Sequence, residues 1–180
     1  MAEHKVYFST GSYFICMLLV MLLPFRWMCA AAVAILFHES CHYFAIRILS
    51  NHAPNVRFYT FGARMPLPQM SRGRELVCAL AGPVGGLALM ALFPLFPRLA
   101  VCAAVQSAYN LLPIYPLDGG RALSCALAMI TDPPRAERIM RLTVMITRCL
   151  LSIAGLYTAI YTPIGMPALL ITAIALIRTK

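Results

Sequence analysis

The sequence predicts an all-α polytopic membrane protein of about six transmembrane helices, with a short membrane-surface β-strand or hairpin between the second and third. Three observations carry this. Of its 180 residues, 61% are hydrophobic and 12% are charged, with a mean hydropathy of +0.79, whereas soluble domains are about half apolar and a quarter charged. A soluble fold of this length has too little interior to hide so much apolar surface. The apolar residues gather into long runs, and the Lys and Arg residues fall between those runs with a strong bias to one side.

The first span runs from about Val6 to Leu23. The second covers Trp27 to Leu49, after a Pro24-Phe25-Arg26 break. The third, Leu76 to Phe96, ends at Pro94 and Pro97. The fourth begins near Leu99 and is interrupted by Pro113 and Pro116. The fifth is Leu142 to Ile160. The sixth, Ile164 to Ile177, is short for the roughly 20 residues a vertical helix needs. Six spans with both termini cytoplasmic put twelve of the fifteen Lys and Arg residues inside and only Arg26 and Arg98 outside, with Arg148 within the fifth span. This is the bias that orients multi-pass proteins of the cell membrane. The net charge of +9 is therefore assigned to topology, and nucleic acid is not an expected partner. Lys5, the apolar run after it and Cys29-Ala30-Ala31-Ala32 also fit a cleaved signal peptide, but Glu3 and the span that follows at once argue against one.

Seven cysteines, none in a CxxC pair and all in or near apolar runs, read as small buried side chains rather than a disulfide framework. Asn51 to Gly73 is the longest polar stretch. Within it Val56-Arg57-Phe58-Tyr59-Thr60-Phe61 alternates and is rich in β-formers, before Gly62, Pro66 and Pro68. It is either an ordinary loop or a strand or hairpin whose open edge pairs with an extended peptide.

His38-Glu39-Ser40-Cys41-His42 lies in the second span. Residues four apart share a helix face, so both imidazoles reach one ion. Glu39 is rotated by about 100° from His38 and sits beside the metal's open position rather than on the metal. With four His and six acidic residues in the chain, roughly 0.003 such matches are expected by chance. A carboxylate at membrane depth costs about 2.5 kcal/mol or more and marks a functional interior. The second constellation is Asn110-Leu111-Leu112-Pro113-Ile114-Tyr115-Pro116-Leu117-Asp118-Gly119-Gly120-Arg121. Its prolines and glycines break the fourth helix, and such backbone is tolerated at depth only inside protein or facing water. Asp118 in that break can supply a third ligand, and two His, one carboxylate and a water make a catalytic zinc site. The plainer readings are packing or interhelical hydrogen bonds for the histidines and a turn cap for Asp118.

Other candidates are less specific. Cys41 is three residues from His38 and either touches the ion or is simply buried. His4 and His52 lack partners at ligand spacing. Ala81-Gly82-Pro83-Val84-Gly85-Gly86 reads first as a close-packing surface for a neighbouring helix, and second as part of the substrate path. Asn110 either satisfies backbone groups freed by the break or holds a substrate carbonyl.

Taken together, the HExxH of His38 to His42, the AGPxxG of Ala81 to Gly86 and the NLLPxxPLDGGR of Asn110 to Arg121 resemble the site-2 protease family of intramembrane zinc metalloproteases, in the family's order. The compact layout is most similar to the subgroup around stage IV sporulation protein FB. The resemblance implies one zinc ion per chain held by His38, His42 and Asp118, with Glu39 as the catalytic base that activates the zinc-bound water. Asn110 and Pro116 match positions that shape the site and bind substrate in that subgroup, and Gly82 and Pro83 belong to the same group of site-shaping residues. Gly86 stands where family members often carry Asn or another polar residue.

The expectation is thus a single membrane-embedded metalloprotease domain over 1–180, with a catalytic core of about 27–130 and no PDZ or CBS domain. It would hydrolyse a peptide bond in or next to the membrane segment of a regulatory protein of the pro-sigma or anti-sigma factor type. Its partners are that membrane-associated substrate, the lipid bilayer and a regulatory membrane protein. Two other classes fit the same motif less well. A metal transporter or sensor needs more ligands along a path, and a non-catalytic client binder has no use for Glu39.

Overall fold

The computed structural model describes residues 24–50, 57–59, 62–64 and 70–161. The expected first and sixth spans, His4 and His52 lie outside them. In chain order the elements are α1 (Phe25–Ser50), β1 (Arg57–Tyr59), β2 (Gly62–Arg64), α2 (Arg72–Ala88) continued by a 3-10 turn (Leu89–Leu92), α3 (Pro97–Asn110), α4 (Asp118–Ile130) and α5 (Pro133–Tyr161). The backbone clusters into two units, one up to Tyr109 and one from Asn110.

Three described helices are long and apolar enough to cross a membrane: Phe25–Ser50, Arg72–Leu92 and Pro133–Thr158. Their surfaces are inside out by the standards of a soluble protein. On α1 the buried positions are Ala34, His38, His42 and Ile46, a stripe with a repeat of four. Around it Leu36 is 65% and Ile48 73% exposed, while His38 is 2% exposed. Apolar residues outside and imidazoles inside is the arrangement lipid selects, because polar groups in hydrocarbon must face the protein interior.

In the first unit α1 packs on α2, and glycines let the helices approach closely. A Cβ on Gly85 would run into the Sγ of Cys41 on α1, and one on Gly86 would run into the Oγ of Ser107 on α3. α2 therefore meets one neighbour through Gly85 and another through Gly86, the close packing expected of the Gly-rich segment. At the N-terminus of α2, Arg72 pairs with Glu75 at 3.0 Å. Arg74 donates to the carbonyl of Leu49 at 3.3 Å, satisfying one of the carbonyls that the end of α1 leaves without an intrahelical partner.

Between α1 and α2, β1 and β2 pair antiparallel with Arg57 opposite Arg64, Phe58 opposite Ala63 and Tyr59 opposite Gly62. Of the alternating run expected over Val56 to Phe61, Arg57–Tyr59 is a strand, and its partner is Gly62–Arg64.

In the second unit the chain breaks after Asn110, turns, and restarts as α4, which packs on α5. The turn is closed by hydrogen bonds from Ile114 N–H to Leu112 O at 2.8 Å and from Leu117 N–H to Ile114 O at 2.9 Å. Gly119 and Gly120 are required here. A Cβ on either would strike the main chain of Leu111 or Ile114, and backbone cannot swing aside as a side-chain tip can. The expected fourth span is therefore two short helices, of 14 and 13 residues.

The fifth helix departs from expectation at its start. It begins at Pro133, well before the expected Leu142, and runs for 29 residues. Pro133-Pro134 fit the first helical positions, where a missing N–H costs nothing, and Ala136 N–H bonds back to Asp132 O at 2.9 Å. The first turns, through Arg141, are polar, so a reading that follows apolar residues alone misses them.

Candidate active site

His38 and His42 lie one helical turn apart on the buried stripe of α1. Their rings meet edge to face, with centroids 4.8 Å apart and planes at 78°, and their Nε2 atoms are 3.2 Å apart. His42 Nδ1 lies 2.7 Å from the carbonyl oxygen of Cys78 on α2. A carbonyl only accepts, so Nδ1 carries the proton and donates it, and the neutral ring then presents a bare lone pair at Nε2. This outer contact is the usual way a metal-ligating imidazole is held in the right tautomer.

Gly82 makes room for the pair. A Cβ there would sit on His42 Nε2 and only 2.7 Å from His38 Nε2. The one residue type without a side chain thus faces both donor nitrogens, one helical turn after the carbonyl that orients His42. The pocket fits zinc: two nitrogens at about 2.0–2.1 Å from a tetrahedral zinc stand roughly 3.3 Å apart. Pro83 follows, fully buried, inside the helix, where it removes one backbone donor from the ladder.

Glu39 is half-buried beside this stripe, off the line of the two imidazoles as helical geometry requires. Cys41 turns its Sγ to Gly85 and serves helix packing.

Asp118 is the first residue of α4, and the N-cap is Leu117. The cap that the plainer reading assigned to Asp118 is thus held by its neighbour. Asp118 is 9% exposed, and its Oδ1 lies 3.8 Å from Nη1 of Arg121 one turn on. The positive end of the helix and the Arg121 guanidinium thus lie beside this carboxylate. His38 and His42 belong to the first unit and Asp118 to the second, and each carries a side chain of a kind that ligates zinc. Asn110, the last residue of α3, and Pro116, which follows Tyr115 through a cis peptide, are both half-buried.

Residues 77–154 match peptidase family M50. The fold resembles the site-2 protease from Methanocaldococcus jannaschii, with a TM-score of 0.65 at 17% identity over 97% of this chain and 90% of that one. Over residues 77–154 the chain is thus similar to the M50 peptidases, and its fold is similar to that of a site-2 protease. No curated protein sequence matches the chain. The M50 match covers the Gly82-Pro83 segment and the Asp118 loop but starts after the HExxH sequence. That motif therefore stands on its own geometry.

Three features of the site were not legible in the residues. The Cys78 carbonyl is main chain and has no sequence signature. Arg121 was part of the quoted motif, but its closeness to Asp118 depends on Asp118 beginning a helix. Ser107 is completely buried and occupies the space that a side chain at position 86 would fill. A side chain at 86 would therefore have to displace the Ser107 hydroxyl.

Proposed function

We propose that the chain is an intramembrane zinc endopeptidase in which His38, His42 and Asp118 hold one zinc ion and Glu39 is the general base. The observation that carries this is the facing pair of imidazole nitrogens, oriented by Cys78 and cleared by Gly82. When bound, zinc supplies a Lewis acid that makes a water nucleophilic near neutral pH and polarises the scissile carbonyl. Glu39 accepts the proton of the attacking water and returns it to the departing amine, which needs a carboxylate beside the ligands rather than among them. His42 keeps its Nδ1 hydrogen bond to Cys78 throughout, and Arg121 stays beside Asp118.

A substrate helix must open before attack, because its carbonyls are otherwise hydrogen-bonded and covered. The edge of a two-stranded pair such as β1–β2 would offer main-chain partners to an extended segment. Asn110 and Pro116, near the two ends of the helix break, would shape the approach of substrate to Asp118. The substrate class is a membrane-associated regulatory protein such as a pro-sigma or anti-sigma factor, as in the sporulation subgroup. The charge distribution supports cytoplasmic termini in the cell membrane, where a regulatory membrane protein would control access.

The test is proteolysis of a membrane-embedded substrate by purified protein before and after chelation. Activity should vanish with the metal and return with one equivalent of zinc. Hydrolysis that survives full removal of the metal would rule the mechanism out.

A further inference from the structure

Arg148 has no role in the chemistry above. From Leu142 to Tyr161 it is the sole charged residue, within a helix long and apolar enough to cross a membrane. A charge there is costly and is kept for a purpose. It lies seven residues after Arg141, on the same helix face and about 10 Å further along the axis. Both arginines line a cleft of about 490 Å³ in the second unit, whose other walls include Tyr115, Met140, Val144 and Met145.

From this we infer that the cleft is a binding site for one anionic phospholipid. Side chains on a helix tilt toward its N-terminus, so both arginines lean toward the polar end of α5 along the wall of the cleft. The two guanidiniums can then bracket a phosphate, and Val144 and Met145 between them face an acyl chain. Glu137 is the acid nearby, 3.1 Å from Arg141. That pair is solvent-exposed and weak, so Arg141 can turn to a phosphate. An acidic peptide fits less well. The same helix exposes Ile146 and Ile153, so the surroundings of the cleft are hydrocarbon, which peptide carboxylates avoid and lipid tails complete. Tyr115 at the edge belongs to the loop that leads into Asp118, so a bound lipid touches the segment that presents that carboxylate. The inference rests on the membrane placement of α5 and not on the protease reading.

The test is native mass spectrometry of the full chain from mixed micelles with equal phosphatidylglycerol and phosphatidylcholine. One phosphatidylglycerol should be retained in preference to phosphatidylcholine. Arg148→Gln and Arg141→Gln should each lower that preference by roughly fivefold, with no change for Arg98→Gln. If Arg148→Gln does not fold, Arg141→Gln at its exposed position gives the same reading. Equal retention of both lipids, unchanged preference in the two cleft variants, or displacement of the lipid by inorganic phosphate or a soluble acidic peptide would overturn the inference. None of these outcomes touches the zinc site.

Discussion

Glu39→Gln is expected to abolish proteolysis while leaving the zinc content unchanged. Gln has the shape and polarity of Glu but cannot take a proton, so the change removes the base and little else. Loss of a positioned general base costs about 10²–10⁴ in rate, and membrane substrate should remain uncut over times in which the parent protein finishes. The metal readout separates loss of the base from loss of the ion. Glu39 is half-buried beside the imidazole stripe rather than on it, so removing its charge should not release the metal. Zinc lost together with activity would make Glu39 a ligand or a structural support. Full activity with full zinc would mean that another group moves the proton. In cells, a membrane protein that accumulates uncut only with Glu39→Gln becomes the substrate candidate.

The second large effect is expected at a residue with no functional group. Gly82→Ala should lower zinc affinity about a hundredfold or more, beyond what loss of a supporting hydrogen bond produces. Elsewhere in a helix the change from Gly to Ala favours folding by about 1 kcal/mol. Here the added Cβ overlaps His42 Nε2 and crowds His38 Nε2. Those atoms are the tips of side chains, so they can swing aside and the protein still folds. In swinging aside they abandon the geometry that faces them across 3.2 Å. The expected result is a helical, membrane-inserted protein of normal thermal stability that retains little zinc. Unchanged zinc affinity in Gly82→Ala would mean that the ion is not held at these two nitrogens.

How much could be read from the sequence depended on where the information lies. The HExxH spacing fixes a shared helix face whatever the tertiary structure, so His38 and His42 could be paired directly. Pro113, Pro116 and the two glycines before Arg121 dictated a broken helix, and α3, the turn and α4 follow that pattern. The start of α5 was missed because its signal is Asp132-Pro133-Pro134 and a charged first turn, not hydropathy. Gly82 was read as helix packing or site-shaping, since the same segment also serves packing through Gly85 and Gly86. What separates these roles is which atoms face each glycine, and that is set by the neighbouring helices. The Cys78 carbonyl, which sets the His42 tautomer, belongs to the backbone and is invisible to any reading of side chains.

The central claim is that Asp118 shares one ion with His38 and His42, and zinc stoichiometry in Asp118→Ala tests it most directly. Purified parent protein and Glu39→Gln should each carry one zinc per chain, and Asp118→Ala should carry far less at the same free zinc concentration. One tightly held zinc per chain in Asp118→Ala, with affinity equal to the parent, would contradict the account.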